Sequence, residues 1–453
     1  MSTQTFVGQI VHSKSLNELE VIPNGFVAVS GGKIVAVGSD YSTWKQAAGR
    51  EVEETLLSPS QFVMPGFVDC HIHAPQMPNL GLGLDSPLLE WLEKYTFPME
   101  SRYRDTAFAQ RIYQKVVETT IRCGTTLAAY FATNHKESSI ILAKEAIRQG
   151  QRAFIGKVSS DCNCPSYYVE SSDEAVSEAR DFVKRILELK SEIVKPIVTP
   201  RFALSCTESL MGSLAKIAKE NNVNIQSHIS ENLSEVQVAE EMFGKLYAQV
   251  YKDAGLLSNK TVMAHAVHLK DQELKIFKET GTSVAHCPAS NTNLLSGMCD
   301  VKRIINAGVT VGLGTDVSGG HNPSIKDALV RCLDISNHLH FVRTQSIKGC
   351  EEQQNITNFN NESKPLTYQQ AIYLATLGGA EALAVDEKVG NFIVGKSFDA
   401  LVVETDSFPI FNCGLQSEGK EPERDLLRLV QQFIYSGDDR NIMKVFVNGR
   451  QIK

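Results

Sequence analysis

No stretch of this 453-residue chain approaches the roughly 20 consecutive apolar residues that a membrane span requires. The opening MSTQTFVGQIVHSKSLNE has no basic flank followed by a long apolar run, so no secretory signal is expected and the chain reads as cytoplasmic. Positive charge is not in excess either. Against 52 Asp and Glu stand 45 Lys and Arg, and the net charge of −7 gives no electrostatic reason to bind nucleic acid or an anionic membrane. The ten cysteines are scattered, with Cys162 and Cys164 the closest pair and no Cys-x-x-Cys anywhere. Neither a structural zinc module nor a disulfide framework is therefore expected, and reduced, mostly buried thiols are. Cys287, beside His286 near a strand end, is expected to pack rather than to act as a nucleophile. No repeat recurs at the period of a solenoid or propeller. What remains is an ordinary globular composition, 42% hydrophobic and 21% charged.

The middle of the chain alternates short β-branched apolar runs with longer segments of helical period, the pattern of a parallel sheet with crossover helices. Eight runs are counted, at 62–74, 125–133, 153–161, 194–204, 224–231, 261–267, 283–290 and 309–317. Between two of them, TESLMGSLAKIAKENN repeats Leu210, Leu214, Ile217 and Ala218 at helical spacing behind a Thr207 cap. Gly281 and Gly308 fall where helices should stop before the next strand. Eight strands with their helices make an α/β fold, a (β/α)8 TIM-like barrel, over residues 62–386. Residues 1–61 and 387–453 hold short strands with a Gly-Gly and an Asn-Gly turn. Neither terminal piece has enough strands to stand alone, so the two are expected to build one small β-sandwich domain. The polar, Asn-rich stretch at 351–365 is expected to be a surface loop.

Chemistry in such a barrel belongs at the C-terminal strand ends. His71 and His73 lie in QFVMPGFVDCHIHA, and period-2 alternation sends both imidazoles off one face of one strand. NIQSHISE adds His228, TVMAHAV adds His265 and VGLGTDVSGG adds Asp316, each at the end of its own run. Alone, Asp316 would serve equally as a turn or cap residue; a carboxylate at the mouth beside three imidazoles favours a ligand. Nitrogen and oxygen donors without thiolate suit Zn²⁺ or a similar first-row divalent ion, one per subunit, held by His71, His73, His228 and Asp316 with a position left for water. Glu231, three residues after His228, is either a solvated first-turn acid or a proton shuttle to substrate. His265 is either a neighbour of the metal or a hydrogen-bonding group that fixes the attacking hydroxide.

These motifs, together with LLEWLEKYTFPME, GTTLAAYFAT, KPIVTPRFALSC, AHCPASN and the terminal VGNFIVGKSFDALVV, resemble the amidohydrolase superfamily and, within it, the guanine deaminase family. The resemblance covers nearly the whole chain. It implies zinc on His71, His73, His228 and Asp316, proton handling by Glu231, His265 and Asp316, and purine binding by Gln76, Arg201 and Phe202. His73, His228, Glu231 and Asp316 then border the base as well. It also implies a homodimer with guanine as its small-molecule substrate. Some relatives bridge two metals with a modified lysine at the end of strand four. Here Lys195 lies at the other end of that strand and Arg201 holds the mouth, so one metal is expected.

The physical roles are reasonable. Phe202 offers an aromatic face. Arg201 aims a guanidinium fork at the carbonyl oxygen and a neighbouring ring nitrogen, and Gln76 carries both a donor and an acceptor. The implied reaction is hydrolytic deamination at C2, giving xanthine and ammonia. Leu88 and Trp91 are expected in a lid that excludes water. Two other readings stay open: a zinc aminohydrolase of another purine, pyrimidine or triazine, and a non-catalytic scaffold on the same barrel.

Overall fold

The computed structural model describes residues 3–48, 52–345, 364–407 and 420–453. The Asn-rich stretch at 351–365 lies outside the described residues except for its last two positions. At the centre stand the barrel strands Phe67–His73, Thr125–Phe131, Arg152–Gly156, Val194–Pro200, Asn224–Ile229, Thr261–His265, Ser283–His286 and Val311–Leu313. Each pairs in parallel with the next. Val158–Ser159 prolongs the third strand against the fourth. Every residue of the first two strands is buried, as expected where helices cover a parallel sheet. The last strand's loop closes the cylinder onto the first. The Asp316 N–H donates to the His71 carbonyl at 2.8 Å and the His73 N–H to the Val317 carbonyl at 3.2 Å.

The crossover helices form where the apolar spacing places them. Glu208–Asn221 begins at Thr207, whose hydroxyl accepts from the Leu210 N–H at 3.2 Å, a cap that contributes about 1 kcal/mol. The helix buries Leu210, Leu214, Ile217 and Ala218 and ends at Asn222 in the left-handed region. Gly281, at φ 73°, ends Asp271–Thr280 and turns the chain into the seventh strand.

Two of the sequence runs divide differently from expectation. The run at 62–74 is two strands, Gln61–Pro65 in the terminal sheet and Phe67–His73 in the barrel. Gly66 joins them where a Cβ would sit 2.1 Å from Thr126, so the backbone bends hard against the second strand. The run at 309–317 is a strand only over Val311–Leu313, and Asp316 belongs to the loop beyond it.

Strands from both termini combine into one hydrogen-bonded sheet, ordered Arg450–Gln451, Ile442–Val447, Ala400–Glu404, Gln61–Pro65, Thr3–Ser15, Glu18–Ser30 and Lys33–Gly38, with Val52–Leu56 also on Thr3–Ser15. Phe6 stacks on Phe398 at 5.0 Å and meets the edge of Phe446 at 5.1 Å in its core. Its two tight turns, Gly31-Gly32 and Asn448-Gly449, all have positive φ and pack on each other. Arg152, at the N-terminal end of the third barrel strand, is tied to Asp399 of this sheet by Nε–Oδ2 and Nη2–Oδ1 contacts of 2.7 and 3.0 Å, all buried.

Candidate active site

At the C-terminal strand ends His71, His73 and Asp316 form one group able to hold an ion, and His228 forms another with His71 and His265. His71 Nε2 lies 3.1 Å and His73 Nε2 3.4 Å from Asp316 Oδ1, and the Nε2 atoms of His73 and His228 are 3.1 Å apart. Four ligands on a tetrahedral ion with bonds of about 2.05 Å stand roughly 3.3 Å from one another, so these three contacts have the spacing of ligands to one ion. The protonation fits as well. His228 donates its Nδ1 hydrogen to the Arg201 carbonyl, which leaves Nε2 as a bare lone pair turned inward. Burial holds His71 below, and His73 and His228 well below, the ordinary imidazole value, so all three are neutral donors. Burial also opposes ionisation of Asp316, but contact with His71 and the positive charge that His265 holds outweigh it and keep its carboxyl far below the usual range. Three neutral imidazoles and one carboxylate are a donor set for a divalent cation.

Beside this cluster His265 Nε2 is 3.4 Å from Glu231 Oε2 and 3.7 Å from Asp316 Oδ2. Glu231 is buried, and burial pushes its carboxyl up to about 7, with His265 opposing. Its other oxygen accepts from Ser296 Oγ at 3.3 Å. A carboxyl poised near neutrality both takes and returns a proton. Burial works to strip the His265 proton, but Glu231 and Asp316 prevail and hold it above the ordinary value. The loops re-aim these side chains through strained backbone: Ser230, His265 and Asp316 have φ of 49°, 75° and 45°.

The cluster opens into a pocket that His73, Gln76, Arg201, Phe202, His228, Glu231, His265 and Asp316 border with Leu88, Trp91 and Leu294. Leu88, Trp91 and Leu294 form their own apolar cluster across the opening. Lys195 is exposed at the far end of its strand, and buried Cys287, whose thiol burial raises well above normal, packs close to Gly314. Arg201 and Gln76 share a fully buried partner that the sequence did not suggest. Glu100 accepts from Arg201 at 2.7 and 3.3 Å, from Gln76 Nε2 at 2.8 Å and from the Tyr168 hydroxyl at 2.7 Å.

Three further supports escaped the sequence reading. Asn291 Oδ1 accepts from His265 Nδ1 at 2.8 Å and fixes that ring. Glu235 accepts from the Glu231 N–H at 2.7 Å and from the Tyr247 hydroxyl at 2.8 Å. Asp69 accepts from the Thr315 N–H and hydroxyl at 3.1 and 2.6 Å and steadies the loop that carries Asp316. Burial pushes its carboxyl up to about 7 against those bonds. Two of these had a signal: Asp69 lies two residues before His71 on one strand, hence on the same face, and Glu235 closes an Asn232-x-x-Glu capping box.

A barrel whose mouth gathers imidazoles and a carboxylate around one point defines a metallohydrolase-type site. The amidohydrolase family profile matches residues 62–452. The chain is 41% identical to guanine deaminase of Dictyostelium discoideum, across 99% of this chain and 98% of that protein. It is 44% identical to guanine deaminase of Mus musculus, across 99% and 96% respectively. It superposes with a TM-score of 0.88 on the crystal structure of guanine deaminase from C. acetobutylicum with bound guanine in the active site, at 33% identity and covering 100% of both chains. The chain belongs to the amidohydrolase family.

Proposed function

We propose that this chain is a guanine aminohydrolase, converting guanine and water to xanthine and ammonia, with a single Zn²⁺ on His71, His73, His228 and Asp316. The observation that carries the reading is one pocket bordered on one side by the imidazole–carboxylate cluster and on the other by Arg201 and Gln76, both locked by Glu100. Similarity across the full length to a structure described with guanine in its active site supports the choice of base. When bound, the cation lowers the pKa of water toward neutrality and stabilises charge at the reacting carbon. His265 and Asp316 orient the attacking oxygen. Glu231 takes its proton and delivers it to the ring nitrogen beside C2, which makes C2 electrophilic. After the oxygen adds, Glu231 takes the remaining proton from the hydroxyl on C2 and passes it to the exocyclic amine; the C2 carbonyl forms and ammonia departs. Arg201 and Gln76 hold the base edge, Phe202 its face, and the Leu88–Trp91–Leu294 cluster keeps bulk water out.

Three further parts belong to the proposal. The chain divides into a barrel and two terminal pieces that form one β unit; the sequence boundary between 61 and 62 gives way to a junction at Gly66, supported by the pairing of Gln61–Pro65 in the terminal sheet. The enzyme is cytoplasmic, supported by eight unpaired cysteines among the described residues and no described helix long and apolar enough to cross a membrane. It works as a homodimer, the commonest symmetric assembly.

The test is xanthine formation from guanine with and without a chelator, beside ammonia release from adenine and cytosine. Guanine turnover that a chelator abolishes and added Zn²⁺ restores is expected. Ammonia from adenine with none from guanine would overturn the substrate; a metal-free protein with no turnover of any base would indicate a scaffold.

A further inference from the structure

We propose that Glu100 is a positioning residue that makes this pocket select a purine with a ring carbonyl over one with an amine at the same place; the inference rests on the guanine reading above. Glu100 is 0% exposed and does not border the pocket, so it acts through Arg201 and Gln76. A carboxylate has about four lone-pair sites. Here four donors take them: two nitrogens of Arg201, Nε2 of Gln76 and the hydroxyl of Tyr168.

That saturation fixes the polarity of the wall facing the base. Gln76 gives its amide nitrogen to Glu100, and its Oε1 accepts the Ser318 N–H at 3.2 Å. Flipping the amide would set oxygen against carboxylate and nitrogen against N–H, two repulsions at once. Arg201 is anchored on Glu100 and lies over the Phe97 ring at 5.0 Å, so its guanidinium cannot swing away. A guanidinium has donors and no acceptor. A carbonyl oxygen facing it is matched; an amine there would set N–H against N–H. Burial disfavours the Arg201 charge, yet Glu100 outweighs burial and keeps the guanidinium charged. The pair is neutral as a whole, so the wall is a donor array for a neutral carbonyl rather than a trap for anions.

Replacing the carboxylate with an amide undoes this polarity. In Glu100→Gln one oxygen becomes a donor, Arg201 loses a partner, and only the Ser318 N–H still opposes the flip of Gln76 that presents an acceptor to the base. The experiment compares kcat/KM for guanine with that for diaminopurine, which carries an amine in place of the carbonyl, in the wild type and Glu100→Gln. Calorimetry with hypoxanthine, which keeps the carbonyl but has no amine to lose, is run alongside. The guanine preference is expected to fall by about tenfold or more, mostly through KM for guanine, with hypoxanthine binding weakened to match and metal content unchanged. A general structural defect lowers both bases together and leaves the ratio alone. A folded, metal-loaded Glu100→Gln whose ratio stays within about twofold of wild type overturns the proposal. Should that variant not fold, Tyr168→Phe removes one bond from the same carboxylate without uncovering a charge. It should shift the ratio by roughly threefold in the same direction, and no shift overturns the proposal. Wild type that does not turn over guanine defeats the earlier reading, whereas the hypoxanthine comparison still decides the role of Glu100.

Discussion

Glu231→Gln separates proton transfer from everything else the site does. Glutamine has the same shape, and its oxygen can still accept from Ser296, now at 3.3 Å from Glu231 Oε1. It cannot carry a proton. The pocket wall of Arg201 and Gln76 is untouched, because neither residue contacts Glu231. The cation donors are untouched as well: the short contacts among His71, His73, His228 and Asp316 do not include it. General acid–base catalysis contributes roughly 100- to 10,000-fold. At about 1.4 kcal/mol per tenfold, the loss corresponds to about 3–5.5 kcal/mol in the transition state, with little change in ground-state binding. The assay is guanine loss followed by ultraviolet absorbance, combined with metal analysis and the inhibition constant of hypoxanthine. Expected is a kcat lowered within that range, with metal content at wild-type level and the inhibition constant within about threefold. A kcat near wild type removes Glu231 from the proton path. Loss of metal instead would mean that Glu231 belongs to the cation site.

Asn291→Ala leaves His265 Nδ1 without its acceptor, so the ring loosens; kcat should fall about tenfold with KM nearly unchanged, and Asn291→Asp, which keeps an acceptor, should recover most of it in the same steady-state assay. Asp399→Ala leaves the Arg152 guanidinium buried without its partner at the end of the barrel opposite the site. Thermal denaturation should report a loss of about 3–5 kcal/mol, while kcat per folded molecule stays at the wild-type value.

Periodicity and turn residues made the barrel legible. The helix at 208–221 shows why: its cap, its buried stripe and its left-handed end are all local features, and local features are written in the sequence. Local signals also gave both terminal hairpin turns, though not the joint between the terminal sheet and the barrel. At Gly66 the chain reads as one continuous apolar run, and only the close approach of Thr126 divides it. The inward-turned donors were legible because histidines at strand ends are rare and chemically distinctive. Glu100 and Asn291 were not, since each acts through a partner far away in the chain. Glu100 lies 101 residues before Arg201, in a segment whose visible pattern is apolar. An acid there, beside Glu90 and Glu93, reads as surface until the fold buries it.

The strand ends explain why the site is held from behind as much as from within. An ordinary β conformation at Ser230, His265 or Asp316 would continue the strand direction and scatter the side chains. Positive φ at each turns the chain inward, at a cost of order 1–3 kcal/mol per residue. Such conformations persist only where neighbours overdetermine them. At Asp316 the restraint is visible: its N–H is bound by the His71 carbonyl at 2.8 Å, and the adjacent Thr315 is bound twice by Asp69. These bonds also form the seam that closes the barrel. Closing the barrel and aiming the carboxylate are thus one event: a chain that opens between its first and last strands loses the geometry of His71, His73 and Asp316 together. A cation held by these side chains would therefore stabilise the closed barrel, and its removal should loosen this seam before any other part of the sheet.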